Sequence, residues 1–79
     1  MIIVYAIRSV PSKEIYVGIS KDIDRRLKEH NAGRNRYTKG LRPWEIVYRE
    51  TKENWTEARK REKYLKSGVG KEYLKALVS

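Results

Sequence analysis

Two short apolar segments near the start of the chain, separated by a turn-forming stretch, constrain its fold more than any other feature. Ile2 to Ser9 alternates its side chains between two faces with the two-residue period of a β-strand. Residues 10–13 (Val-Pro-Ser-Lys) carry turn chemistry, and Glu14 to Gly18 returns as a second strand that ends at the glycine. The sequence therefore predicts an antiparallel hairpin.

Each strand of this hairpin carries one tyrosine, Tyr5 on the first and Tyr16 on the second. Directly opposed cross-strand residues have Cβ atoms about 5 Å apart, so both phenols are able to project from the same face. Aromatic residues also favour strands for packing alone. Taken by themselves the two tyrosines favour plain packing, and a role in a site is the alternative.

A charged helix is predicted directly after the glycine. Residues 20–22 supply two candidate N-caps, a serine and an aspartate. Ile23 and Leu27 are four residues apart and form the apolar stripe of the helix. Arg26 and His30 have the same spacing and lie beside that stripe. We therefore expect both side chains to point toward the sheet or its edge.

The helix is predicted to end near Gly33, and the segment that follows it is strongly basic. Residues 34–43 contain Tyr37 and no acidic residue. Their cations are Arg34, Arg36, Lys39 and Arg42. A tyrosine that is surrounded by cations is suited to phosphate contact and base stacking, although a solvated connecting loop has the same composition.

The second half of the chain predicts one more strand and two helices. Trp44, Ile46 and Tyr48 alternate with other side chains, which indicates a strand over residues 44–50 with one apolar face. Helices are predicted over 54–66 and 71–78, with a glycine-containing break at residues 67–70. The last helix is expected to bury Tyr73, Leu74 and Leu77.

The predicted fold class is α+β (α/β in the broad sense), with element order β-β-α-β-α-α. Its strands form a small three-stranded antiparallel sheet that is flanked by helices. At 79 residues the chain is short enough for one core, so residues 1–79 are expected to form a single domain.

The helix over residues 54–66 places a carboxylate on its apolar face. Positions 55, 58, 62 and 65 follow the spacing of a buried stripe, and three of them are Trp55, Ala58 and Leu65. The fourth is Glu62. A carboxylate on such a face costs free energy unless it is paired or binds a cation. An ion pair with an arginine and a position at the rim of the core are the structural alternatives.

The charge balance favours a polyanionic partner. The chain has 19 Lys and Arg against 10 Asp and Glu, a formal net charge of +9, and nucleic acid is the leading candidate. Cysteine is absent and His30 is the one histidine, which excludes disulfides and multi-histidine zinc sites. The first residues are too short for a signal peptide or a membrane span, so we expect a soluble, cytoplasmic protein.

Taken together, these residues resemble the GIY-YIG nuclease superfamily, whose catalytic module occurs at the amino end of a repair excinuclease and in certain homing endonucleases. The chain is most similar to small stand-alone members related to the excinuclease domain. The two signature elements fall on residues 3–5 (Ile-Val-Tyr) and 16–18 (Tyr-Val-Gly). Ile3 replaces the first glycine of the signature, and Val17 replaces an isoleucine. Residues 57–58 and 61–63 match the family helix that holds a metal-binding glutamate.

The resemblance implies a metal-dependent DNA endonuclease that hydrolyses phosphodiester bonds in DNA repair, recombination or processing. Its implied catalytic set is Tyr5, Tyr16, Arg26, His30 and Glu62. Glu62 would bind one Mg²⁺ or Mn²⁺ ion, Tyr5 is expected to act as the base, and Tyr16 would orient water or phosphate. The DNA-contacting residues are expected to be Gly18, Lys21, Arg34, Arg36, Tyr37, Lys39 and Arg42. A homodimer or a separate targeting partner would supply selectivity.

Two other functions fit the same composition. A non-catalytic nucleic-acid-binding module would keep the scaffold and the charge without the chemistry. A ribosome-associated or protein-interaction domain would have an equally basic surface, but it gives no reason for Glu62 to lie on an apolar face.

Overall fold

The computed structural model describes residues 1–78 as a three-stranded sheet with helices on both faces. The strands are β1 (Ile2–Ser9), β2 (Ile15–Ser20) and β3 (Trp44–Lys52). The helices are α1 (Ile23–Asn31), α2 (Trp55–Lys66) and α3 (Gly68–Val78), with a short 3-10 turn at Lys39–Leu41. Both strand pairs are antiparallel in the order β2-β1-β3. The predicted fold class and element order are confirmed.

None of the described helices is long and apolar enough to serve as a membrane span.

The first helix begins as the sequence indicates, because the side chain of Asp22 caps it by accepting a hydrogen bond from the Arg25 backbone. It ends where expected as well, since Gly33 adopts a φ of 81° just beyond it.

The sequence predicted that the second strand ends at Gly18, but the strand continues to Ser20. Gly18 lies opposite Tyr5 in the strand register. A Cβ atom at position 18 would lie 2.6 Å from the Tyr5 hydroxyl oxygen. The glycine is therefore a packing position within the strand, where the phenol of the neighbouring strand crosses the backbone.

The sheet buries apolar side chains on both faces. One face packs against α2 and α3, and its buried residues are Ile2, Val4, Ala6, Val17, Ala58, Leu65 and Leu74. The other face packs against α1 and the basic loop, and its buried residues are Tyr5, Ile7, Ile23 and Trp44. Because α1 and α2 cover opposite faces, the groups they carry can meet only at an edge of the sheet.

A bulge in β3 changes which side chains share a face. Ala6 pairs with Tyr48, whereas the next residue of β1, Ile7, pairs with Ile46, so Val47 is an extra residue. Trp44 and Ile46 accordingly pack on the α1 face, while Val47 and Tyr48 pack on the α2 face. The expectation that Trp44, Ile46 and Tyr48 share one face is wrong, because strict alternation does not hold across a bulge.

The third helix begins earlier than predicted and buries less. Only Ser67 separates α2 from α3, so the expected break at residues 67–70 is mostly helical. Of the three side chains expected to be buried, Leu74 is, but Tyr73 and Leu77 are exposed. The contact line of α3 instead runs through Gly70 and Leu74, one helical turn apart, and Tyr73 packs edge-on against Tyr48.

Gly70 permits the close approach of α3 to the last turn of α2, and we expect Gly70→Ala to destabilise the fold. An added Cβ would collide with the Tyr64 carbonyl oxygen and with the Leu65 backbone. The expected loss in the free energy of unfolding is about 1–3 kcal/mol. Urea denaturation followed by circular dichroism measures it.

The matched control is Gly68→Ala in the same helix. A Cβ there meets nothing within 4 Å. Alanine is the better helix former, so this variant should be as stable as the parent or more stable by up to about 1 kcal/mol. Equal losses in both variants would contradict the proposed helix contact.

Candidate active site

The Tyr5 hydroxyl lies where the central strand, the edge strand and α1 meet. The Tyr5 ring passes over Gly18 toward the free edge of β2, and the residue is only 1% exposed. Its hydroxyl oxygen is 3.1 Å from Nε2 of His30. The close contact with Gly18 and the hydrogen bond to the His30 imidazole therefore fix the position of the phenol.

His30 continues this buried chain of hydrogen bonds. Its Nδ1 is 2.8 Å from the hydroxyl oxygen of Thr38, and both residues are fully buried. The Thr38 carbonyl in turn accepts a hydrogen bond from the indole of Trp44 at 2.8 Å. Burial lowers the pKa of His30, and the charge of Arg26 lowers it further. A neutral imidazole with one donor and one acceptor nitrogen is therefore favoured.

The environment of Tyr5 favours its protonated form. Burial is the main cause that raises the pKa of Tyr5 to about 12, and the negative charge of Glu62 adds to the rise. The Arg26 guanidinium acts in the opposite direction. Tyr5 is therefore a phenol at neutral pH, and both Arg26 and Glu62 lie within electrostatic range of it.

Arg26 is oriented by an acidic neighbour on its own helix. Its Nη1 donates a hydrogen bond of 2.8 Å to Oε1 of Glu29, and the Arg26 side chain is 37% exposed. Glu29 itself is half-buried and also pairs with Arg25 at 3.5 Å. The guanidinium is thus held in place by Glu29 while part of its surface remains available to a ligand.

Glu62 is placed on α2 between two buried residues, Ala58 and Leu65. Its side chain is 17% exposed, and Oε2 forms an ion pair of 3.2 Å with Nζ of Lys66. The partner is therefore a lysine one turn along the helix, and not an arginine. Trp55, expected on the same buried stripe, is largely exposed.

The donor set around Glu62 suits one kind of metal ion. Within residues 1–78 there is no cluster of three or more His, Cys, Asp or Glu side chains that would hold a metal. Mg²⁺ keeps several waters and is commonly bound by one or two carboxylates together with substrate phosphates. A single carboxylate that is 17% exposed fits that coordination, whereas it does not fit a structural zinc site.

An open, basic depression lies in front of Tyr16. It is lined by Tyr16, Arg26, Arg34, Asn35, Arg36 and Tyr37. The Tyr16 ring packs edge-on against His30 with centroids 5.1 Å apart, and it contacts the Tyr37 ring at 5.6 Å. Tyr16 therefore faces the depression, whereas Tyr5 is buried and does not line it.

The structure brings Tyr5, Tyr16, Arg26 and His30 together, with Glu62 nearby from α2. Of the residues expected to contact DNA, Arg34, Arg36 and Tyr37 line the depression. Lys21 lines a second depression, which also includes Arg26 and Trp55. Lys39 and Arg42 are exposed farther along the loop, where Nε of Arg42 donates to the Lys39 carbonyl at 2.8 Å.

Gly18 was also expected among the DNA contacts, but its position does not suit that role. It is buried, and the Tyr5 ring fills the space above it. The family signature singles out this position, and the physical role that the structure gives it is to let a phenol cross the strand. A ligand therefore meets the side chains around Gly18 and not the glycine itself.

Sequence reasoning missed three residues that support the site. Thr38 contacts His30, Glu29 holds Arg26, and Asn35 shapes the loop. Asn35 Oδ1 accepts hydrogen bonds from the backbone of Tyr37 at 2.9 Å and of Thr38 at 3.2 Å. This Asx turn has a sequence signal, an asparagine at the start of a loop, but nothing local indicates which buried group the threonine meets.

Several known proteins are similar to this chain. The family model for the GIY-YIG catalytic domain matches residues 1–74. The chain belongs to this family. It is 41% identical over 64 residues to a UPF0213 protein of Staphylococcus epidermidis, which covers 80% of this chain and 78% of the relative. A UPF0213 protein of Staphylococcus aureus is 43% identical over 54 residues, covering 67% of this chain and 66% of the relative.

A solved structure of the same group is also similar. The solution NMR structure of a UPF0213 protein from Bacillus halodurans superimposes with a TM-score of 0.57 at 32% sequence identity. The match covers 98% of this chain and 85% of that chain. The resemblance read from the signature residues is thus confirmed, and the family is one of nucleases.

The buried neutral His30 predicts a pH-dependent stability. Because the folded-state pKa of His30 is lowered, its neutral form contributes stability above the ordinary histidine pKa of about 6.5. That contribution is lost as the pH falls through the folded-state pKa. We expect the free energy of unfolding of the parent to fall more steeply than that of His30→Gln between about pH 7.5 and pH 5.

Urea unfolding at several pH values measures this slope. Carboxylates such as Glu29 titrate in both proteins, so the difference between the two slopes isolates His30. Parallel slopes would mean that His30 is able to bind a proton without cost in the folded protein.

Proposed function

We propose that this protein is a DNA endonuclease that hydrolyses phosphodiester bonds with the help of one divalent cation. The observation that supports this most strongly is the grouping of Tyr5, Tyr16, Arg26 and His30, with Glu62 within electrostatic range of Tyr5. These residues come from β1, β2, α1 and α2. Phosphodiester hydrolysis needs a base for water, positive charge on the phosphoryl oxygens and stabilisation of the leaving oxygen, and this set offers each of them.

The positions of the two tyrosines favour Tyr16 as the base, the reverse of the roles expected from the sequence. A general base must be within hydrogen-bond reach of the attacking water. Tyr5 is almost fully buried, is bonded to His30 and has its pKa raised to about 12. Tyr16 lines the open depression. In our proposal Tyr16 first releases its phenolic proton to solvent and then, as the phenolate, takes the proton of the attacking water. His30, which is hydrogen-bonded to Tyr5, packs against the Tyr16 ring and positions it.

Arg26 provides the positive charge for the phosphate. Its guanidinium lies in the same depression as Tyr16 and is held there by Glu29. A guanidinium presents a rigid fork of donors, which matches the non-bridging oxygens of a phosphate as negative charge accumulates on them. Because Glu29 fixes the fork before the substrate arrives, less side-chain order has to be gained on binding.

Glu62 is the residue that would hold Mg²⁺ or Mn²⁺. Lys66 pairs with Oε2, so Oε1 is the oxygen offered to a cation. A bound cation of this kind would supply Lewis-acid stabilisation of the phosphate and of the leaving 3′-oxygen. The Lys66 ammonium, 3.2 Å from Oε2, holds that side of the carboxylate along the helix.

Substrate binding would depend mainly on phosphates. The net charge of +9 and the arginine-lined depression favour contact with the DNA backbone, which carries little sequence information. Such a nuclease suits DNA repair, recombination or processing, where the structure of the substrate directs cleavage. A homodimer or a separate partner would add further selectivity.

Plasmid nicking tests the metal and phosphate roles. With Mg²⁺ or Mn²⁺ the parent should convert supercoiled plasmid to the nicked form, and EDTA should stop the reaction. We expect Glu62→Gln and Arg26→Ala each to lower the nicking rate by about 10²-fold or more, because each removes charge stabilisation at the reacting phosphate.

Each variant has a neighbour on the same helix as its control. Glu57→Gln removes an exposed carboxylate of α2, and Arg25→Ala removes an exposed arginine of α1. Both controls should nick at close to the parental rate. Nicking by Glu62→Gln that equals the parent would overturn the site, and an absence of any metal-dependent nicking would leave a nucleic-acid-binding module.

The roles of the two tyrosines are separated by single hydroxyl deletions. We expect Tyr16→Phe to lower the nicking rate by about 10²-fold or more, as for the loss of a general base. Tyr5→Phe should reduce the rate less, because Tyr5 acts through His30. Single-turnover nicking at several pH values measures both effects. A larger loss in Tyr5→Phe would instead support Tyr5 as the base.

A further inference from the structure

The basic depression continues past Tyr37 into a groove along the free edge of β2. The first part of this groove is lined by Ile15, Tyr16, Val17, Tyr37, Lys66 and Lys71. Its second part continues from Ile15 and Lys71 to Lys13 and Lys75. We call this surface the β2-edge groove. It connects directly with the candidate active site because Tyr16 and Tyr37 belong to both.

The β2-edge groove is cationic. Lys13, Lys66, Lys71 and Lys75 line it, and Glu14 is the acidic residue among its lining residues. The Nζ of Lys66 forms an ion pair of 3.2 Å with Oε2 of Glu62, which neutralises part of its charge. Lys75 lies 4.0 Å from Glu72, and both side chains are exposed, so this pair neutralises little. The groove therefore presents several ammonium groups to a ligand that carries repeated negative charge.

An exposed aromatic ring stands at the junction of the groove and the depression. Tyr37 is 62% exposed, and its ring lies 5.6 Å from that of Tyr16 at an angle of 35°. One side of the Tyr37 ring is therefore supported by protein, and the ring remains accessible. Nucleobases stack on such platforms, and a track of cations beside them follows the phosphates.

We propose that the β2-edge groove binds single-stranded DNA that leads away from the scissile phosphate. The inference rests on the proposed nuclease function and names its substrate class, DNA that contains an unpaired strand. The bases of a duplex are stacked on one another and are not offered to Tyr37, whereas an unpaired strand presents both its bases and its phosphates. Lysines on α3 would thus contribute to binding, although nothing in the family signature includes them.

An extended peptide is the other ligand that a free strand edge is able to bind. The backbone of such a peptide would pair with the free edge of β2. The four lysines and the exposed tyrosine favour nucleic acid, because an edge strand that recognises a peptide has no need of a cationic track. A peptide ligand is therefore an outcome of the test and not part of the proposal.

The test measures binding without cleavage. Fluorescence anisotropy with labelled oligothymidine, and with a duplex of the same length, gives Kd values for the whole protein in EDTA. Lys71→Ala/Lys75→Ala should weaken binding of the single strand and lower its salt dependence by about 1.4 units of log–log slope, for two lost phosphate contacts. Tyr37→Ala should weaken single-strand binding by about fivefold or more, as for a lost stacking platform.

Lys63→Ala is the matched control, because Lys63 is an exposed lysine of α2 that does not line the groove. It should lower single-strand affinity less than either groove variant. The groove variants should also affect the duplex less than the single strand. Unchanged single-strand affinity in Lys71→Ala/Lys75→Ala, or equal losses for both ligands, would overturn the proposal, and the former result would favour a peptide at the strand edge.

The same measurements separate this inference from the nuclease proposal. Glu62→Gln should bind oligothymidine at least as tightly as the parent, since Glu62 does not line the groove and its substitution removes the ion pair that partly neutralises Lys66. A parent that binds through the groove but shows no metal-dependent nicking would defeat the nuclease proposal alone. Nicking that persists while the groove variants bind single strands normally would defeat the groove alone.

Discussion

A Cβ atom at position 18 would lie 2.6 Å from the Tyr5 hydroxyl oxygen, so the central strand sends a phenol across the edge strand only because β2 has a glycine there. That crossing carries the hydroxyl from the middle of the sheet to its free edge. There it meets His30 from α1 and lies within range of Glu62 from α2. Helices that pack on opposite faces of a sheet are thus able to contribute to one site.

The buried hydrogen-bond chain gives this small site its rigidity. Tyr5, His30 and Thr38 are buried together, and Thr38 also receives the Trp44 indole. Each polar group in the chain has a partner, which avoids the penalty of about 1–3 kcal/mol for an unsatisfied buried donor or acceptor. The same contacts fix the basic loop against α1. Tyr16 packs against this buried chain through His30, and Arg26 lines the same depression as Tyr16.

Charge on this molecule is organised around that edge. Glu29 orients Arg26 and Lys66 pairs with Glu62, so the two reactive charges of the candidate site are each held by an opposite charge on their own helix. Arginines of the loop and lysines of α3 extend positive charge to either side of Tyr37. A polyanion that binds along this surface would contact Tyr16, which lines both the depression and the groove.

Much of the fold was readable from the sequence because it rests on local patterns. Strand alternation, the Asp22 cap and the terminating Gly33 gave the element order and most boundaries. The family signature gave the family itself, since the residues of a motif keep their order and spacing. The errors came at the β3 bulge and at α3, where pairing with a neighbouring element overrides the local period. The end of β2 and the burial of Trp55 were also predicted wrongly.

The sequence by itself determined which candidate site residues this protein has, namely two strand tyrosines, Arg26, His30 and a carboxylate on an apolar helical face. Tertiary structure decided how those groups relate. It buried Tyr5 and left Tyr16 facing the depression, matched His30 with Thr38, and gave Gly18 a packing role. The physical reason is that burial, pKa and partner choice depend on residues distant in the chain, and no local pattern records those distances.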